Sequence, residues 1–358
     1  MTAIHQFLAG YNKGDAISNE ARLLRDLFRK WGAAAEIFCE ASCIHPELRG
    51  DAKDVRTCRV DRRDIGLLHL SIGSEVNEIF SRLRCRKVIR YHNITPPRYF
   101  ETFQPQTAEQ LRLGREQMER LSGAASVNLA VSRYNAKDLE DAGYYDVQVL
   151  PILLDFLSLD VKPDAGVLNA YRDERKNVLF VGRCAPNKCI DDLVRAFACY
   201  QRHVEPRSRL IHVGSFTGME AYCGLCRIHA RNLGLRDVHF MGSVTQSQLT
   251  AFYRVADLFL SASEHEGFCI PLLECMQFGA PILAYAAAAI PETLDGSGIL
   301  YRKKDIERIA EMMGRLTQDT PFRDAVLDGQ SRRLRRYRSL DLEAKLRHHL
   351  TPLLPNGL

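Results

Sequence analysis

The chain has 358 residues, 46% of them hydrophobic and 26% charged, with 23 Gly and 14 Pro. This composition excludes a disordered, collagenous or disulfide-stapled chain, and at roughly 150 residues per domain the length suggests two domains. The net charge of +5 is too small to argue for nucleic acid, so none is expected as a partner.

Eleven Cys are too dilute for a disulfide framework. The opening residues lack a basic and then apolar leader, and the longest apolar run, Pro281 to Ile290, is about half of what a bilayer crossing needs. The expectation is a cytoplasmic protein with reduced thiols.

Short apolar, β-rich runs alternate with helical stretches throughout, the pattern that parallel sheets covered by helices leave in a sequence. The first strands are predicted at Ala3–Leu8, Ala35–Phe38, Leu67–Ser71, Lys87–Tyr91, Val127–Val131 and Val147–Pro151, with helices such as Ser18–Trp31 and Ala108–Leu121 between them. From Leu153 to Lys176 the rhythm is lost among Asp160, Pro163, Asp164 and Gly166, which reads as a crossing between domains. A second series opens at Asn177–Gly182 and continues through Arg209–Val213, Val238–Met241, Leu258–Ser261, Ile282–Ala284 and Gly298–Tyr301. The fold class is therefore α/β. The expected domains are residues 1–154 and 177–335, joined by a linker at 155–176 and followed by a helical segment at 336–358. Open sheets of this kind take ligands at the carboxyl ends of their strands.

No G-x-G-x-x-G, P-loop, H-E-x-x-H or D-x-D pattern follows any strand. Two other constellations do. The first, Gly182-Arg183-Cys184-Ala185-Pro186-Asn187-Lys188, joins a strand to a helix. Its Gly allows close backbone approach, and its two cations can converge on one polyanion, a diphosphate for example. Read alone, it also fits a turn with two solvated cations. The second is Glu264-His265-Glu266-Gly267-Phe268-Cys269-Ile270-Pro271-Leu272-Leu273-Glu274. Pro271 suits a first helical turn, so the N–H groups of Gly267, Phe268, Cys269 and Ile270 would face outward at a helix start, a favourable place for an anion. Glu266 and Glu274 can accept bonds from sugar hydroxyls, or Glu274 can simply favour its own helix N-terminus.

Together these segments resemble the retaining GT-B glycosyltransferases of family 4. Glu266-x7-Glu274 in the frame E-G-F-x-I-P-L-L-E matches the family signature, and V-G-R-x4-K at Val181 to Lys188 matches its diphosphate loop. Pro281–Ala284 through Ile290-Pro291-Glu292 to Gly298 is similar to the strand and turn that follow. In the first half, Gly10-Tyr11-Asn12-Lys13-Gly14-Asp15 resembles the glycine-bearing loop that faces the donor, and Arg90-Tyr91-His92-Asn93 ends a strand where relatives keep a histidine near the donor sugar. Cys189 stands where the family has glycine, and Ala286 to Ala289 replace a more glycine-rich turn.

The resemblance implies two Rossmann-like domains facing a cleft, the first on the acceptor side and the second binding the nucleotide. It implies transfer of a sugar from a GDP- or UDP-sugar to a glycan or lipid-linked hydroxyl, with retention and with no metal or other cofactor. His92, Arg183, Lys188 and Glu266 are the implied catalytic residues. Donor contacts fall on Gly14, Gly182, Arg183, Lys188, Glu266, Gly267, Phe268, Cys269, Ile270 and Glu274. Glu274 would hold the ribose and Glu266 the transferred sugar. The same fold also serves phosphorylases, epimerases and nucleotide-binding scaffolds, and these stay open.

Three features invite other readings. Cys223-x2-Cys226 with His229 falls short of a four-ligand zinc site and is expected to lie on a helix as incidental cysteines. The basic amphipathic stretch Ser18–Trp31 is expected to pack into a core rather than lie on a membrane. Residues 331–358 carry seven cations against two carboxylates, the whole surplus of the chain, so this end segment is where peripheral contact with an anionic membrane would arise.

Overall fold

The computed structural model describes residues 2–354. Thirteen strands among them form two all-parallel sheets. The first contains β1 (Ile4–Leu8), β2 (Ile37–Cys39), β3 (Lys53–Asp54), β4 (Ile65–Leu70), β5 (Arg86–Tyr91), β6 (Val127–Ala130) and β7 (Val147–Val149), in the order β3-β2-β1-β4-β5-β6-β7. The second contains β8 (Lys176–Val181), β9 (Ser208–Val213), β10 (Val238–Gly242), β11 (Leu258–Ser261), β12 (Ile282–Tyr285) and β13 (Ile299–Tyr301), in the order β10-β9-β8-β11-β12-β13. Each order reverses once, between β1 and β4 and between β8 and β11. Such a switch point opens a crevice at the strand ends.

Central parallel strands are covered on both faces, so their sequences run apolar. β4 is buried along its whole length, and Ile65, Leu67, Val88 and Leu129 share one core with Leu24 and Phe28 of helix Ala16–Lys30. The expected core packing of that amphipathic stretch therefore holds. Its cations are also engaged: Arg25 pairs with Asp51, and Arg29 donates to the Ala35 carbonyl at 2.8 Å. Against the apolar run, β1, β4 and β5 bury Gln6, His69 and Arg90.

The chain forms two compact units, one of residues 2–101, 105–154 and 341–354, the other of residues 102–104 and 155–340. The stretch expected as a linker is not one. Asp164 caps helix Ala165–Tyr171 by accepting from Val167 N at 2.8 Å, and Thr250 Oγ1 donates to the Leu159 carbonyl, which ties the stretch into the second unit. The expected boundary at 335/336 falls inside helix Thr320–Arg338, and the chain leaves the second unit only at Leu340. Helix Leu342–Leu350 then supplies Leu346 and Leu350, with Leu353 beyond it, to the first unit's core. Residues 355–358 of the expected end segment lie outside the described residues. No described helix is long and apolar enough to cross a membrane.

Candidate functional site

Both constellations stand at the switch point of the second sheet, after β8 and after β11. The backbone there is unusually close. Gly182 N donates to Val213 O and Cys184 N to Ser215 O, both at 2.9 Å, which draws the ends of β8 and β9 together. A Cβ on Gly214, whose φ is +149°, would lie 2.0 Å from the Gly182 carbonyl oxygen. Gly214 is thus needed for the Gly182 turn to exist.

Arg183 follows directly, exposed, with Nη2 donating to the Thr217 carbonyl at 3.1 Å. Cys189 holds a left-handed backbone at φ +49° and starts helix Ile190–His203, so cysteine takes the conformation for which glycine is the easier residue.

Asn187 joins the two loops. Its buried side chain donates to the His265 carbonyl at 3.1 Å, and its own carbonyl accepts from Glu264 N at 2.9 Å. The result places Lys188 Nζ 2.7 Å from Glu266 Oε1, both side chains largely buried. A cation and a carboxylate 78 residues apart in sequence become one pair.

The Glu266 carbonyl accepts from Ala289 N at 3.2 Å, which ties in the alanine turn after β12. Cys269, at φ +69°, turns the chain into helix Ile270–Phe278, with Pro271 in its first turn. Gly267, Phe268, Cys269 and Ile270 thus form the helix approach as read from the sequence. The Phe268 carbonyl is held by Thr293 Oγ1.

Glu274 lies one turn in. Its Oε2 accepts from Tyr253 Oη at 2.6 Å, and burial raises its pKa above the usual carboxylate value, opposed by that hydrogen bond. Lys304 bridges Asp192 and Glu264, at 2.6 Å to each, and burial is outweighed by these bonds, which push its pKa up.

Gly14 and His92 belong to the first unit. Gly14, at φ +67°, turns the loop between β1 and helix Ala16–Lys30. His92 follows β5. Its side chain is 4% exposed, and its Nε2 lies 2.8 Å from His69 Nδ1 and 3.5 Å from Glu20 Oε2. At the carboxyl ends of β1, β2 and β4 the unit opens into a pocket of about 690 Å³ whose lining includes Asp15, Glu40, His69 and Glu75 but no Lys or Arg.

Two groups of side chains have metal-ligand spacing among the described residues, Glu20–His69–His92 and Cys189–Asp192–Glu264. Arg90 already neutralises Glu20, at 2.7 Å between buried side chains, and Lys304 occupies the second group. Neither donor set fits a dication well. Cys223 and Cys226 lie on helix Glu220–Asn232, as expected, with buried free thiols that hydrogen-bond with Cys184, and they belong to neither group.

Asn187, Tyr253, Lys304 and His69 were missed as site residues. Only His69 carried a signal, a polar residue inside an apolar strand.

Residues 175–319 match the family model described as glycosyl transferases group 1. The second unit carries a group 1 glycosyltransferase domain. The curated relatives match a stretch of similar length. An uncharacterized glycosyltransferase of Methanocaldococcus jannaschii is 30% identical over 161 residues, 44% of this chain and 40% of its own. The O-antigen chain mannosyltransferase B of Escherichia coli is 27% identical over 146 residues, 41% of this chain and 38% of its own. The D-inositol 3-phosphate glycosyltransferase of Corynebacterium aurimucosum is 31% identical over 152 residues, 41% and 36%. The match spans about two fifths of these relatives' length.

The fold extends further than the sequence match. Anabaena HepE, solved with UDP and glucose, aligns over 98% of this chain and 100% of its own with a TM-score of 0.75 at 18% identity. The group 1 domain and the first unit are the two α/β domains of a GT-B fold.

Proposed function

We propose that this chain is a retaining glycosyltransferase that moves a sugar from a nucleoside diphosphate sugar to a hydroxyl of a neutral glycan, with no metal taking part. The observation that carries the reading is the Lys188–Glu266 pair at a switch point, beside the start of helix Ile270–Phe278. Arg183, Lys188 and the helix start would hold the diphosphate. Glu266 would receive a hydroxyl of the transferred sugar, and Glu274, steadied by Tyr253, the ribose.

In the reaction, the bond between the anomeric carbon and the β-phosphate oxygen breaks and its electron pair stays on the diphosphate. The acceptor oxygen bonds the same face of that carbon, and its proton passes to the leaving phosphate. Fixed cations and helix N–H groups aimed at the growing negative charge lower this barrier.

The acceptor reading rests on the first unit's pocket. With no Lys or Arg in its lining, and with Arg56 paired to Glu75, the pocket offers carboxylate acceptors for hydroxyls and no ammonium or guanidinium for a phosphate. HepE was solved with UDP, and two of the relatives named above act on mannose or on an inositol phosphate by name. The pocket's charge favours the neutral class.

The test is nucleoside diphosphate release from GDP-, UDP- and ADP-sugars in the presence of EDTA, with alkyl glycosides or their 6-phosphates as acceptors, and NMR of the product anomer. Release stimulated by the neutral glycoside, with retention, is expected. Failure of every nucleoside diphosphate to bind overturns the reading. Equal stimulation by the phosphorylated acceptor overturns its acceptor half.

A further inference from the structure

The first unit contains a buried chain of hydrogen bonds whose direction can be assigned. Gln6 Nε2 donates to the Ala21 carbonyl at 2.9 Å, which fixes the amide and leaves Oε1 facing His69 Nε2 at 2.8 Å. An amide oxygen only accepts, so His69 Nε2 carries the proton. Burial, with His92 beside it, holds His69 neutral, its pKa well below the usual value. Its Nδ1 is therefore bare and accepts from His92 Nε2 at 2.8 Å. His92 is also kept neutral, by burial and by the Arg90 charge. Its own Nδ1 must then be unprotonated.

The ring's orientation is fixed as well. His92 N donates to the Leu70 carbonyl at 2.9 Å, and the two imidazoles stack with centroids 5.0 Å apart. Arg90 joins the Glu20 carboxylate to β5, and Glu20 Oε1 also accepts from Leu153 N at 2.8 Å. Among the described residues no hydrogen-bond partner of His92 Nδ1 is found, and the atom is not among the buried unpaired ones. The next residue, Asn93, holds a left-handed backbone at φ +97°, and both polar atoms of its side chain are buried without a partner. Strain and unmet hydrogen bonds at adjacent positions are features of a surface completed by a ligand.

We propose that Gln6 and His69 are positioning residues that hold His92 as its Nε2–H tautomer, so that Nδ1 accepts a hydrogen bond from a sugar hydroxyl. The role in sugar binding rests on the glycosyltransferase reading above; the tautomer does not. A neutral His92 reads a hydroxyl as a plain acceptor, without bringing a positive charge to it. The wrong tautomer would set an N–H where an acceptor is needed.

Long-range proton–nitrogen NMR of the full chain with labelled histidine tests the first half directly, with Nε2–H expected for both rings. His69→Leu removes the acceptor for His92 Nε2–H, whereas His69→Asn keeps one, since Asn Oδ1 falls near the place of Nδ1. His69→Leu is expected to mix the His92 tautomers and raise KM for one sugar substrate about tenfold, with nucleoside diphosphate affinity unchanged and His69→Asn recovering most of the loss. Deoxy donors and deoxy acceptors distinguish the two sources of the hydroxyl. The analogue lacking the hydroxyl that His92 reads should not distinguish wild type from His69→Leu. A native His92 with Nδ1–H overturns the proposal, as does an Asn variant no better than Leu. Absence of turnover with every donor refutes the glycosyltransferase reading instead, and with it the sugar role, while the spectrum still decides the tautomer.

Discussion

Removing the charge of Glu266 is expected to tighten binding of a bare nucleoside diphosphate while it stops sugar transfer. In the free protein Lys188 Nζ is 2.7 Å from Glu266 Oε1, with side chains 19% and 11% exposed. At that separation and an effective dielectric near 20, the attraction is about 6 kcal/mol. Desolvation offsets most of it, leaving a net of roughly 1–2 kcal/mol for such a pair. A diphosphate that engages Lys188 must displace this partner. Glu266→Gln removes the competitor, so Kd for the diphosphate should fall about 5–30-fold. Turnover of the sugar donor should fall by about 100-fold or more, because a contact to the reacting sugar is lost. Lys188→Met should weaken diphosphate binding and abolish most of the gain from Glu266→Gln. Calorimetric titration of the four proteins at one salt concentration measures the cycle. If Glu266→Gln weakens the diphosphate, or if its gain persists undiminished without Lys188, the account of competition is wrong.

Gly214→Ala should cost about 3 kcal/mol or more and weaken nucleotide binding, since its Cβ would meet backbone at 2.0 Å. Gly182→Ala, which meets the Phe180 ring at 3.1 Å, should cost less, and equal urea midpoints for the two variants would refute the distinction. Glu274 binds its proton more tightly folded than unfolded, so its contribution to stability is greatest at low pH and declines as pH rises from the unfolded pKa through the raised folded one. Glu274→Gln should therefore stabilise the free chain at neutral pH and weaken nucleotide binding. Thermal unfolding from pH 4 to 8 tests this, and a variant less stable than wild type at pH 8 would contradict it. Truncation before Asp341 removes Leu346, Leu350 and Leu353 from the first unit's core, at roughly 1.5–3 kcal/mol each. Native-state proteolysis should then cut the first unit before the second.

Much of this fold was legible because the central strands of both sheets are apolar runs of four to six residues spaced by amphipathic helices. β3, two residues long, leaves no such trace. The site was legible in residue types and not in contacts. Arg183, Lys188, Glu266 and Glu274 stand out as charges at strand ends, but the meeting of Lys188 with Glu266 depends on β8 lying next to β11, an order that periodicity does not carry. Asn187 reads as an ordinary turn residue until its two bonds are seen. The basic end segment shows how charge counts mislead: Arg333 and Arg336 pair with Asp295, Arg338 lies over Phe156, and Arg347 over Trp31. These contacts give the arginines structural work within the protein, and attachment to a membrane remains a separate expectation for the segment.

The helix Leu342–Leu350 also bears on how the protein is made. Residues up to 154 leave the ribosome before the second unit, yet their core lacks three leucines that are synthesised after it. The second unit has all its strands by Tyr301, about 150 residues after that point, and needs nothing from beyond Leu340. During synthesis the two units are therefore expected to finish in the reverse of their sequence order: the first stays incomplete, with an apolar face open to chaperones, until helix Leu342–Leu350 docks and finishes it.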